Sequence, residues 1–257
     1  MLGFFKPKPL LSEDDREFQI ACFKWLLKYF GGDDFYQNTS LVLPTRAYFP
    51  SQVQSEEEVA LETFKAVKKH ANMTDWPCVL ERQEVDVDAA VAPTIAIPNT
   101  PTNPLGTFQV DDKNKATITY NPSLVGNPTQ LVATLAHELA HYLTATAGEA
   151  PPGGWENWEF ATDIAATFLG FGIFMANSAF NFSQFTNTGS QGWQSNRSGY
   201  LSESEHLYAL AIFLHLKGES YDRAQDHLKP HLKKLLKKAY KEINSAGFVS
   251  ELSRITP

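Results

Sequence analysis

The segment Leu131 to Tyr142, LVATLAHELAHY, constrains the fold more than any other stretch of the chain. At helical spacing Val132, Leu135, Leu139 and Leu143 share one face, while His137 and His141 fall on the opposite one. The residues before it supply a start: Ala116 to Tyr120 reads as a strand, Asn121-Pro122 as a turn, and Asn127-Pro128 as a helix opening. A strand beside this helix can pair with an extended peptide.

Composition bounds the rest. With 257 residues, 43% of them hydrophobic and 20% charged, the chain can bury one sizeable core or two small ones, which excludes disorder as its general state. A net charge of −7 opposes nonspecific attraction to nucleic acid or an anionic membrane, so no nucleic-acid partner is expected. Cys22 and Cys78 are too few for a disulfide scaffold and form no CxxC pair. They read as two reduced thiols of a cytoplasmic protein. The opening MLGFFKPKPLLSEDD lacks the features of a secretory signal. Ile164 to Phe180 is apolar but interrupted by Thr167, Gly170, Gly172, Asn177 and Ser178, and falls short of the roughly 20 residues that span a bilayer. It reads as a buried helix, so no membrane span is expected.

The punctuation divides a single domain into three parts: a helical N-terminal extension over 1–40, a sheet-rich part over 41–126 and a helical part over 127–257. Ser12 to Phe30 reads as a helix, with Ser12 and Asp15 as a capping pair and Gly31-Gly32 as its end. Strands are expected at Leu41–Tyr48, Val79–Val87, Thr94–Ile97, Thr107–Val110 and Ala116–Tyr120, with a helix from Ser55 to about Ala71 and a loop at Ile97–Gly106. The polar stretch Ser183–Gly199 is long for a loop in a compact domain, which is often a mark of function. The fold class is α+β, with a small, mostly antiparallel sheet and a helical half.

Chemistry concentrates at His137-Glu138-Leu139-Ala140-His141, an HExxH sequence. Histidines four apart on a helix project from one face, close enough for both imidazoles to bind one ion, and the adjacent glutamate can reach metal-bound water. A three-ligand catalytic zinc site needs a further protein ligand. Glu159 stands 18 residues after His141, within WENWEFATDIAATFLG, and Glu156, Glu159 and Asp163 compete for the role because positions three and seven apart share a helical face. Glu159 is preferred because Asp163 follows it one turn on, whereas Glu156 lies beside Gly153-Gly154, where the helix has barely begun.

This arrangement resembles the gluzincin branch of the zincin metallopeptidases, in which HExxH is followed on a second helix by a ligand glutamate, often with an aspartate four residues later. The resemblance covers roughly Ala116 to Gly172 and implies a zincin-like fold, with one zinc ion per chain held by His137, His141 and Glu159. It further implies Glu138 as general base and Asp163 as the residue that orients a ligand histidine. The runs LPTRAYFP, TDIAATFLGFGIFMAN and GYLSESEHLYALAIF resemble those of an uncharacterised bacterial family with the same core. The interval from His141 to Glu159 is slightly shorter than in the large aminopeptidases and thermolysin-like enzymes, and their substrate-anchoring motifs are missing, so no substrate class transfers. The expected activity is hydrolysis of a peptide-type amide, with a peptide or protein substrate. The rival reading is a zinc-bound sensor or interaction module with little turnover, which a fourth protein ligand on the metal would favour.

Other candidates carry less. Tyr200, His206 and Tyr208 can each supply an electrophile for an oxyanion, with Tyr200 preferred because it follows the polar stretch. His227 and His231 share the four-residue spacing but flank Pro230 and read as a solvated pair. Leu228 to Ile243 sets leucines on one face and Lys229, Lys233, Lys234, Lys237, Lys238 and Lys241 around the remainder, a basic amphipathic helix able to pack on the domain or to meet an acidic partner. Trp155 and Trp158 are placed to shape a pocket rim or to pack in the core.

Overall fold

The structure, a computed structural model, describes residues 8–50, 53, 55–84, 105–111, 115–185 and 200–257, with the backbone alone over 180–185. The first helices form where their caps place them. Ser12 Oγ accepts the Asp15 N–H at 3.2 Å, three acids fill the first turn of α1 (Glu13–Phe30), and the Gly31 N–H donates to Leu27 O at its end. In α2 (Glu56–His70) Ser55 is the cap, Glu56 to Glu58 lead and Lys68, Lys69 and His70 close, so charge complements the helix dipole at both ends.

Between them the expected strand at Leu41–Tyr48 does not form. Leu41 and Val42 are buried, the Val42 N–H donates to Gly170 O at 3.0 Å, and the chain turns at Thr45. The apolar run is satisfied by packing against the helical half, and Pro44 has no N–H to give a ladder.

The sheet has three strands in the order β1 (Cys78–Arg82), β3 (Ala116–Tyr120), β2 (Gly106–Val110). β1 runs parallel to β3 and β2 antiparallel, so the sheet is mixed rather than mostly antiparallel. The expected strand Val79–Val87 ends at Arg82, and its last three residues lie outside the described residues. So do the expected strand Thr94–Ile97, most of the Ile97–Gly106 loop and residues 186–199 of the polar stretch. β3 forms where the sequence places a strand and alternates in burial, hiding Ala116, Ile118 and Tyr120. Because β3 is central, however, its backbone is already paired on both sides. Among the described residues the strand with an open edge beside α3 is β2, not Ala116–Tyr120.

α3 (Pro128–Thr144) is the hub. Asn127 caps it by accepting the Gln130 N–H, Pro128 occupies the first helical position, and the helix touches α2, β2, β3, α4 and α5. α4 (Trp158–Ala166) follows a single 3-10 turn at Trp155–Asn157, and a widened turn at Thr167–Phe171 leads into α5 (Gly172–Phe185). Gly170 has φ +100°, so the apolar run is broken there. A Cβ at this position would lie 2.2 Å from Ser40 O, which explains the glycine. By length and composition Trp155–Ala179 could cross a bilayer, but 89% of its most apolar window is buried inside the protein.

α6 (Glu203–Leu216) opens with a full capping box between Ser202 and Glu205. After the short α7 (Asp222–Gln225), α8 (Pro230–Ala246) buries Leu232, Leu236, Ala239 and Ile243 against α6 and turns Lys234, Lys237 and Lys241 to solvent. α9 (Val249–Leu252) ends the fold. α1 packs on α4 and α6, and one hydrophobic cluster extends from Leu11 to Leu252.

Candidate metal centre

α3 presents His137 and His141 from successive turns, and their rings meet edge to face with centroids 4.7 Å apart. α4 brings Glu159 to them from its first turn. Glu159 Oε2 lies 3.3 Å from His137 Nε2 and 3.3 Å from His141 Nε2, and one ligand atom from each residue lies within 4.8 Å of the other two. This group can hold a metal ion. Among the described residues no fourth His, Cys, Asp or Glu joins it. Both histidines are buried, whereas the Glu159 side chain is 48% exposed, so the cluster opens to solvent on the α4 side.

The other nitrogen of each ring is also occupied. His137 Nδ1 lies 2.9 Å from Asp163 Oδ1, and His141 Nδ1 lies 3.2 Å from Thr162 Oγ1. When each Nδ1 carries the proton and donates it to its oxygen partner, each Nε2 keeps a free lone pair toward Glu159. Thr162 was not singled out from the sequence, although its position beside Asp163 and three after Glu159 placed it on the correct side of the helix.

Charge is distributed unequally. Burial works against a charged His137, yet hydrogen bonds to Asp163 and Glu159 outweigh it and hold the pKa well above the ordinary imidazole value. At His141 burial wins and the pKa falls. Burial also opposes a charged Glu159, but its hydrogen bonds with the two histidines keep the carboxyl below the usual range. Glu138 is nearly inaccessible, and burial pushes its pKa up to about 7 although His137 pulls the other way. Its carboxylate packs against the start of β2: a Cβ on Gly106 would lie 3.0 Å from Glu138 Oε1 and 2.7 Å from Thr134 Cγ2. Gly106 is what lets strand and helix approach this closely.

Of the sequence candidates, Tyr200 is brought to the cluster, with its ring centroid 5.5 Å from that of His137. Burial, then the negative charges of Glu159, Asp163 and Glu138, raise its pKa, so the phenol keeps its proton. His206 sits behind the cluster, fully buried, with Nε2 3.7 Å from Asp163 Oδ2. Tyr208 is buried elsewhere; burial pushes its pKa up to about 12, and the charges it senses are those of Arg16 and Glu242. Glu156 is exposed on the 3-10 turn and outside the group. His231 pairs with Glu203 at the surface, and among the described residues the His227–His231 pair forms no cluster with a third ligand. Trp158 packs its ring edge-on to His141 at 4.8 Å and donates to Thr144, while Trp155 stacks edge-on to Trp158 and is 56% exposed. A cavity of about 240 Å3 between α2 and the Ala47–Pro50 turn is a separate feature that contains none of these residues.

Compared with protein-family models, curated proteins and solved structures, the chain matches none of them.

Proposed function

We propose that this chain is a zinc-dependent hydrolase acting on peptide-type amides. The observation that carries the reading is the donor set at the junction of α3 and α4: two imidazole nitrogens and one carboxylate oxygen, with Glu138 buried beside them. Zinc takes nitrogen and oxygen ligands at about 2.0–2.1 Å, and a tetrahedron with such arms has edges of about 3.3 Å. The two separations from Glu159 Oε2 fit that edge. Among the described residues the donor set numbers three, and a three-residue set leaves a position open for water or substrate, which supports catalysis over the closed site of a structural or sensor module.

Bound zinc would supply Lewis acidity to the scissile carbonyl and to the attacking water. The rest falls to the chain. Asp163 and Thr162 hold the two imidazoles in the tautomer that turns Nε2 inward. Glu138, buried beside the donor set, is suited to take the proton of the attacking water at its carboxylate and to pass it to the leaving amine. Tyr200 keeps its phenolic proton and can donate it in a hydrogen bond to a developing oxyanion. The edge of β2 that is open among the described residues, and that begins at Gly106 against Glu138, offers backbone donors and acceptors to an extended peptide. Trp155 offers an exposed apolar ring at the rim.

The test is a comparison of metal-replete wild type with Glu138→Gln on a peptide library. The variant is expected to retain zinc by elemental analysis and to lose about 100- to 10,000-fold in turnover, because the amide preserves shape without a base. Wild type that cleaves no peptide, or a variant that cleaves as fast, overturns the assignment.

A further inference from the structure

Asp163 is fully buried and uses its two oxygens in different directions. Oδ1 accepts from His137 Nδ1 at 2.9 Å, and Oδ2 accepts the backbone N–H of Leu201 at 2.9 Å. The second contact is made to a segment 38 residues away along the chain. In that segment Tyr200 stands against the His137 ring, Leu201 is buried, and Ser202 begins the capping box of α6. The box meets the needs of the helix start from within, since Ser202 and Glu205 exchange hydrogen bonds with each other's backbone and side chain. The Leu201 N–H lies outside that exchange and turns instead to Asp163.

We propose that Asp163 couples metal binding to the seating of the Tyr200–Leu201 segment. This rests on the metal reading above and adds to it a positioning role directed at the segment rather than at the ligand alone. A metal held on Nε2 would fix the His137 ring with its Nδ1–H turned to Asp163, which in turn would fix the plane of the carboxylate that accepts from it. With that plane fixed, Oδ2 is held under the Leu201 N–H, and Tyr200 is held at the cluster. Coupling of this kind is reciprocal, so a seated segment also tightens metal binding. A merely space-filling carboxylate would leave the Leu201 amide indifferent to the metal.

Hydrogen–deuterium exchange of the 257-residue chain, stripped with chelator or loaded with zinc, distinguishes the two. Zinc is expected to slow exchange of the Leu201 amide by roughly 10-fold more than it slows the amides of α8, which report only the global stabilisation, within the roughly 5- to 150-fold range of typical couplings. Equal Leu201 exchange in the two states, with zinc shown to be bound, overturns the coupling and leaves the metal site standing. A chain that takes up no zinc removes the metal reading and this inference with it. Asp163→Asn gives a second arm, because an amide has one acceptor oxygen and cannot serve both His137 and Leu201. At saturating zinc it is expected to lose the zinc-dependent protection of Leu201; retention of the full wild-type protection overturns the proposal. The wild-type comparison stands by itself if that variant does not fold.

Discussion

Glu156, Glu159 and Asp163 lie within eight residues of one another, and their surroundings rather than their chemistry separate them. Glu156 faces solvent, Glu159 bridges the two Nε2 atoms, and Asp163 is buried against Nδ1. Competitive chelator titration is therefore expected to rank Glu159→Ala as the most damaging to zinc affinity, Asp163→Ala next at about 10- to 100-fold, and Glu156→Ala near wild type. Glu156→Ala as the worst of the three would remove Glu159 from the site. His206 adds a pH-dependent contribution. Burial lowers its pKa, opposed by Asp163, Glu205 and Glu203 and reinforced by His137, so the folded chain keeps the ring neutral below the unfolded pKa of about 6.5. In that window the unfolded state binds the extra proton, and stability falls as pH falls. Denaturant titrations of the metal-free protein are expected to show a shallower acid-side decline for His206→Gln, by at most about 1.4 kcal/mol per pH unit. Identical slopes would mean that His206 is already protonated in the fold.

At the scale of elements, the site depends on how α4 leaves the His137–His141–Glu159 cluster. α4 must carry Glu159 and Asp163 past α3, and the chain must then bend so that α5 can pack on both α3 and α6. The bend is made at Gly170, whose carbonyl takes the Val42 N–H and whose missing side chain admits Ser40 O. Gly170→Ala combines an unfavourable backbone region with a backbone clash, and is expected to cost about 3 kcal/mol or more in chemical denaturation. A loss below about 1 kcal/mol would show that the 38–42 segment can move aside. The same contact accounts for the strand that failed to form at Leu41–Tyr48: once Val42 is bonded to the bend and Leu41 is buried, no sheet edge competes for them.

For the whole molecule, a metal held between α3 and α4 would join the elements that touch the sheet to those that touch α6. A ligand that binds only the folded chain stabilises it by RT ln(1 + [L]/Kd), about 2.7 kcal/mol at a free concentration 100 times Kd. For a chain of this size that corresponds to a rise in Tm of roughly 5–10 °C, read by calorimetry with and without chelator. No shift at saturating zinc would place the ion outside the folded core. What the sequence by itself determined is short-range. Caps and periodicity within one or two turns set α1, α2, α3 and β3, the buried face of α8, and the pairing of His137 with His141 on one helical face. A backbone hydrogen bond four residues long, or a side-chain period of two or 3.6, leaves its trace in neighbouring letters. What only the tertiary structure decided joins distant letters through groups that carry no side-chain signature. These are the parallel pairing that makes β3 central, the seat of Ser40 O against Gly170, the Gly106 approach to Glu138 and the Leu201 N–H on Asp163. Every non-proline residue has the same backbone N–H and every residue the same carbonyl, so which of them meets a given partner is settled by packing and not by residue type.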